Sequence, residues 1–197
     1  MRFHYEILGD KEKHKVLKEA IGEARYEHSL GVAKTAIKLA QKYNCSERKA
    51  AIAGLLHDCG KLQNADEILK KAKDFGIIQD DVMKNNRGLL HGPVGAVLAK
   101  IIYEVEDEDI LNAINIHTTG KANMTLLEKI IYLADYIEPG RIFSGVDDIR
   151  RIAYVDLDKA LLLAMGSTIK YVIDKGLTIH IDTIKARNSI IFNLKDK

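Results

Sequence analysis

The stretch Ala53-Gly54-Leu55-Leu56-His57-Asp58-Cys59-Gly60-Lys61 decides how this chain is read. An apolar run ends on a histidine and an aspartate side by side. A fold places two ionisable groups against its core only when partners satisfy them. Upstream, Ser46 is placed to cap a helix, and Gly60 is placed to stop it. Because Ala50 to Leu56 is almost wholly apolar, that helix is central, and it delivers His57 and Asp58 from the middle of the domain.

The rest of the chain supports a helical frame. Apolar residues recur mostly at helical spacing, and strand-like alternation is scarce. Leu30, Ala33, Ile37, Ala40 and Tyr43 form one stripe, with Lys34, Lys38 and Lys42 on other faces and His28 near the helix start. Residues 64–76 read as a more exposed, lysine-rich helix. Pro93 suits a first helical turn, which puts His91 just ahead of an N-terminus. Residues 107–120 form a helix carrying His117 near its end. The apolar stretch 124–141 carries Asp135 and stops near Pro139. Helices over 156–176 and 182–194, joined by a turn at 177–180, complete the chain. With 197 residues, 47% of them hydrophobic, a single all-α domain is the simplest account, a helical bundle over residues 1–197.

Composition narrows the function classes. Acidic and basic residues nearly cancel, leaving +2, which argues against a broad nucleic-acid surface but leaves room for a local phosphate pocket. The two cysteines, Cys45 and Cys59, form no CxxC pair and fit a reducing compartment. The first fifteen residues hold no apolar secretory segment, and no window is long and apolar enough to cross a bilayer. The expectation is a soluble cytoplasmic protein without a membrane or nucleic-acid polymer as partner.

Six residues stand at or inside apolar helical segments: His28, His57, Asp58, His91, His117 and Asp135. Imidazole nitrogens with carboxylate oxygens suit Fe, Mn, Co, Ni or Zn, and the lack of cysteine ligands disfavours a structural zinc site. A carboxylate can bridge two ions that share a water and lower its pKa, and Asp58 is placed for that task. Taken singly, each histidine reads more often as a hydrogen-bonded core residue than as a ligand. His4, His14 and His180 lie outside the pattern and read as surface or packing residues.

The order H…HD…H…H…D resembles the HD-domain metal-dependent phosphohydrolases. RYEHSLGVA (25–33), AGLLHDCGK (53–61), LLHGPVGA (89–96), HTTG (117–120), LEKIIYLADYIEPGR (127–141) and RNSIIFNL (187–194) narrow the resemblance to the YqeK family of bacterial symmetrical bis(5′-nucleosyl)-tetraphosphatases. It covers residues 25 to about 194. It implies a metal motif within 25–140, preceded by a helical extension over 1–24. The implied reaction is hydrolysis of diadenosine tetraphosphate to two ADP at a di-iron-type centre. His28, His57, Asp58 and Asp135 would hold one ion. Asp58, His91 and His117 would hold the other.

The tetraphosphate carries about four negative charges near pH 7. Arg25, Lys61 and Arg141 are candidates to meet them, with Lys121 a weaker one. The bland reading of each is a solvated or capping cation. The candidate substrate-binding set is Arg25, His28, Lys61, His91, His117, Thr118, Thr119 and Arg141, with Asp58, Lys61 and His91 in the catalytic step. Thr118-Thr119-Gly120 reads equally as phosphate contacts or as a helix C-terminal turn. Tyr136 and Ile137 read as the border of a base pocket or as core.

Other functions fit less well. Hydrolases of the alarmone ppGpp carry HDxxED, whereas this chain has HDCGKL. Cyclic-dinucleotide hydrolases carry GYP, which is absent here. Nucleotidase activity and a non-catalytic nucleotide sensor remain as alternatives, and a sensor would be expected to lose metal ligands that this chain keeps.

Overall fold

The computed structural model describes residues 7–62, 65–77 and 80–195. Among them every regular element is helical: α1 (Lys11–Ile21), α2 (Glu23–Lys42), α3 (Glu47–Leu56), α4 (Ala65–Asp74), α5 (Asp81–Asn85), a 3₁₀ turn (Arg87–Leu90), α6 (His91–Ile101), α7 (Glu108–Ile116), α8 (Leu126–Ile137), α9 (Val146–Ala153), α10 (Leu157–Asp174) and α11 (Ile181–Lys195). The expected all-α bundle is the observed one. His4 lies outside the described residues.

The helix starts follow from sequence chemistry. Ser46 accepts from the Lys49 amide at the head of α3, and Asp107 accepts from Asp109 and Ile110 at the head of α7. Thr125 and Glu128 form a reciprocal capping box on α8. The head of α6 differs from expectation. His91 is its first residue, not the one before it, because the 3₁₀ turn runs straight into the helix and Leu90 already has helical backbone angles. The short helices α5 and α9 span only five and eight residues, too few turns to stand out in sequence.

Helices α2, α3, α6, α7 and α8 pack around one centre, α9 and α10 cover α8, and α11 lies on α10. Glycines set the spacing near that centre. A Cβ on Gly54 of α3 would fall 2.8 Å from the Ala33 Cα of α2. One on Gly92 of α6 would fall 2.4 Å from the Asn115 carbonyl oxygen of α7, and one on Gly60 would fall 2.2 Å from the His91 carbonyl oxygen. Backbones that approach this closely bring short side chains from four helices within reach of one another. The core beneath them, including Leu39, Leu55, Ile114, Ile130 and Leu133, is fully buried.

Candidate metal centre

His57 and Asp58 sit at the end of α3, His91 at the start of α6, His117 at the end of α7, His28 in α2 and Asp135 in α8. The fold brings all six together. Asp58 is at the middle and fully buried. Its Oδ2 lies 3.4 Å from His57 Nε2 and 3.9 Å from His28 Nε2. Its Oδ1 lies 3.2 Å from His91 Nε2 and 3.5 Å from His117 Nε2. Asp135 Oδ1 closes the first side, 3.0 Å from His28 Nε2 and 3.7 Å from His57 Nε2.

The ring orientations carry the chemistry. His57 Nδ1 reaches the Gly54 carbonyl at 2.7 Å, His117 Nδ1 the Ile114 carbonyl at 2.7 Å, and His91 Nδ1 the Gly88 carbonyl. A carbonyl only accepts, so each Nδ1 carries a proton, and in the neutral ring Nε2 is the lone pair. His28 Nδ1 is engaged in the same way by Glu138 Oε1 at 3.1 Å. Four imine nitrogens therefore point at two carboxylates. His91 Nε2 and His117 Nε2 face one another at 2.9 Å. Buried His28 Nε2, His57 Nε2 and Asp58 Oδ1 make no hydrogen bond among the described residues. Lone pairs converging on one another without donors repel unless a cation lies between them. Three overlapping donor sets are close enough to hold an ion: His28-His57-Asp58, His57-His117-Asp135 and Asp58-His91-His117. This donor set fits a divalent metal.

Electrostatics differ across the centre. Burial alone would lower the pKa of His57, but the charges of Asp58 and Asp135 outweigh it and raise it. Burial dominates at His91 and lowers its pKa to about 4. Burial would raise both carboxylates, yet Asp58 is held well below its ordinary range by His57, His117 and His91. Asp135 is held low by His28, His57 and Arg141.

Three cations rim the site. Arg25 Nη1 contacts Asp58 Oδ2 at 2.8 Å, Lys61 Nζ lies 3.3 Å from Asp58 Oδ1, and Arg141 pairs with the Asp135 carboxylate while its Nε donates to the Asp135 carbonyl. Arg25, His28, Gly140 and Arg141 border an open groove of about 850 Å³. A second cavity of about 740 Å³, around Ile37, Ile52 and Val105, contains none of the six residues.

The remaining candidates lie elsewhere. The Thr119 hydroxyl donates to the Gly120 carbonyl, and Gly120 has φ +67° and packs against Ala186 and Met165. Thr119 thus belongs to the turn closing α7, with its proton spent there. Thr118 is half-buried beside it. Lys121 is paired with buried Glu128 at 2.7 Å. Ile137 is core, and Tyr136 stacks edge-on against Phe143 with centroids 5.1 Å apart. Cys59 is buried, its thiol donating to the Gly95 carbonyl.

Two supporting residues escaped the sequence reading. Glu138 holds His28. Arg150 of α9 donates to the carbonyls of Ile137, Glu138 and Arg141, which fixes the turn that carries Arg141. The charge at 138 beside Pro139, at the end of an apolar helix, was the available signal for the first. Nothing in the pattern marks the second.

A helical bundle that converges histidines and aspartates in this way defines a metal-binding hydrolase class, and residues 25–140 match the HD domain model. The chain is 39% identical to a symmetrical bis(5′-nucleosyl)-tetraphosphatase of Halalkalibacterium halodurans, over 91% of this chain and 96% of that one. It is 40% identical to the protein of the same name in Bacillus subtilis, over 89% and 94%. A crystal structure from Clostridium acetobutylicum, described as a "predicted HD superfamily hydrolase involved in NAD metabolism", is 51% identical with a TM-score of 0.89, covering 92% of this chain and 96% of that one. The chain belongs to the HD-domain family, within the YqeK group of those tetraphosphatases.

Proposed function

We propose that this chain hydrolyses dinucleoside tetraphosphates symmetrically, converting diadenosine tetraphosphate and water into two ADP. The observation that carries the hydrolytic reading is the set of four imidazoles, each with Nδ1–H spent on an acceptor and Nε2 aimed at Asp58 or Asp135. The choice of substrate is supported by the two relatives named for this activity.

His28, His57, Asp58 and Asp135 would hold one divalent ion, and Asp58, His91 and His117 a second, with Asp58 shared. Iron is the first candidate, with Mn, Co or Ni as alternatives, since such N/O sites follow availability as much as affinity. Bound there, the ions supply Lewis acidity and lower the pKa of a water at neutral pH. The protein's own part is alignment and charge neutralisation. Arg25, Lys61 and Arg141 leave the two aspartates when an ion takes over the negative charge, and turn to the phosphate oxygens. Their side chains are each about a third exposed at the rim where substrate arrives. The leaving group is a nucleoside diphosphate, which departs without a strong general acid. The two cysteines are free, in keeping with a cytoplasmic setting.

The test is product analysis with metal-loaded protein and diadenosine tetraphosphate. ADP as the sole product supports the proposal. AMP plus ATP would retain the metal hydrolase but overturn symmetrical cleavage. No hydrolysis by fully loaded protein would overturn the tetraphosphatase reading in favour of a nucleotidase or a nucleotide sensor.

A further inference from the structure

Three of the four inward-facing histidines are oriented by backbone carbonyls of their own chain segment, three residues upstream. His28 is the exception. Its Nδ1 is held by the side chain of Glu138, 110 residues away, at 3.1 Å. Glu138 is buried, with 5% of its surface exposed. Its other oxygen accepts from the Gly140 amide at 2.6 Å. The carboxylate is also wedged between two residues that lack a Cβ. A Cβ on Gly31 of α2 would lie 2.7 Å from Glu138 Oε2, and one on Gly140 would lie 2.8 Å from Oε1.

We infer that Glu138 is the positioning residue for the His28 ligand, and that Gly31 exists in α2 to make room for it. This inference rests on the metal reading of the previous subsection. The physical logic is direct. An ionised carboxylate on Nδ1–H fixes the tautomer, holds the ring plane and makes Nε2 a better donor to a cation. No local carbonyl does this for His28, because its ring crosses from α2 to the far end of α8. A charged partner also adds a third carboxylate to the side of the centre that already holds Asp58 and Asp135. Gly31, one helical turn after His28, supplies the clearance. Alanine there would favour the helix by intrinsic propensity, so a loss caused by Gly31→Ala would have to come from the displaced carboxylate.

The experiment is titration of the stripped full-length chain with Co(II), reading bound metal by elemental analysis and affinity by competition with a chelator. Far-UV circular dichroism checks that each variant is folded. Wild type should load. Glu138→Ala should weaken one ion by roughly 10–100-fold, the scale of lost ligand support, and leave the other unchanged. Gly31→Ala should weaken the same ion. The double variant should be no weaker than Glu138→Ala, because both changes act through one carboxylate. Wild-type affinity in Glu138→Ala, or full additivity in the double variant, would overturn the inference while the metal reading stood. Failure of wild type to load would overturn the metal reading and this inference with it.

Discussion

The two sides of Asp58 are built differently. On the first, Asp58 and Asp135 face His28 and His57, Glu138 stands behind His28, and Arg25 and Arg141 lie at the rim. On the second, Asp58 Oδ1 faces His91 and His117, whose rings are almost wholly buried, and Lys61 lies 3.3 Å from the same oxygen. The first side is anionic and open to the groove. The second holds Asp58 against the Lys61 ammonium, and its two imidazoles are enclosed. Carboxylate charge favours a cation strongly in a low-dielectric site, whereas two neutral imidazoles offer donation without net charge. The difference teaches an order of loading: the first side should bind its ion more tightly and keep it longer under a chelator.

The largest effect should come from the residue the two sides share. Asp58→Ala should lose both ions and lower hydrolysis by roughly 10³-fold or more, since a metal supplies several kcal/mol of transition-state stabilisation and 1.4 kcal/mol is a factor of ten. Elemental analysis alongside steady-state rates checks it, and full metal content in the variant would break the idea of a shared ligand. His117→Ala tests the asymmetry itself. It should release one ion only, keep the other at wild-type affinity, and cost activity by roughly 10²-fold or more. Loss of both ions on removing His117 would mean that the two sides are one site.

Next in size is the rim. Arg141→Ala removes a cation from Asp135, so metal content should hold or rise while kcat/KM for the dinucleotide falls by roughly 10–100-fold, the worth of a charge-assisted hydrogen bond of about 1.5–3 kcal/mol. Isothermal titration with ADP and the loaded protein separates this from a metal effect. Unchanged ADP affinity would return Arg141 to a purely structural partner of Asp135.

The six inward residues were legible because each breaks an apolar helical pattern, and a buried titratable group needs a reason. Helix positions were legible where caps and periodicity agree, as at Ser46 and along α2. Other features depend on contacts that no local pattern encodes. Glu138 meets His28 across 110 residues, and Arg150 reaches back to α8 from a short amphipathic helix. The start of α6 was misplaced because proline at the third helical position suits a first turn just as well. Thr119 and Lys121 looked available in sequence because their partners, the Gly120 carbonyl and the buried Glu128, are seen only in three dimensions.

The smallest effect is in pH, and there the two sides should oppose each other. His91 has a folded pKa lowered to about 4, against 6.5 for an unperturbed histidine. Between those values the unfolded chain binds more protons at this position than the folded one. Its contribution to stability is therefore complete above pH 6.5 and is lost as pH falls toward 4. His57 has a raised pKa, so the folded chain holds the extra proton. Its contribution is present below pH 6.5 and fades as pH rises through the folded value. Metal-stripped wild type should thus lose urea resistance on acidification from pH 6.5 to 4, and His91→Gln should flatten that loss. Removing His57 should leave that slope nearly unchanged and abolish a loss of stability above pH 6.5, where the His57 contribution fades. Parallel urea-midpoint profiles for wild type and His91→Gln over this window would show that the second side does not hold His91 as an enclosed neutral ring, and the loading order argued from its lower charge would fall with it.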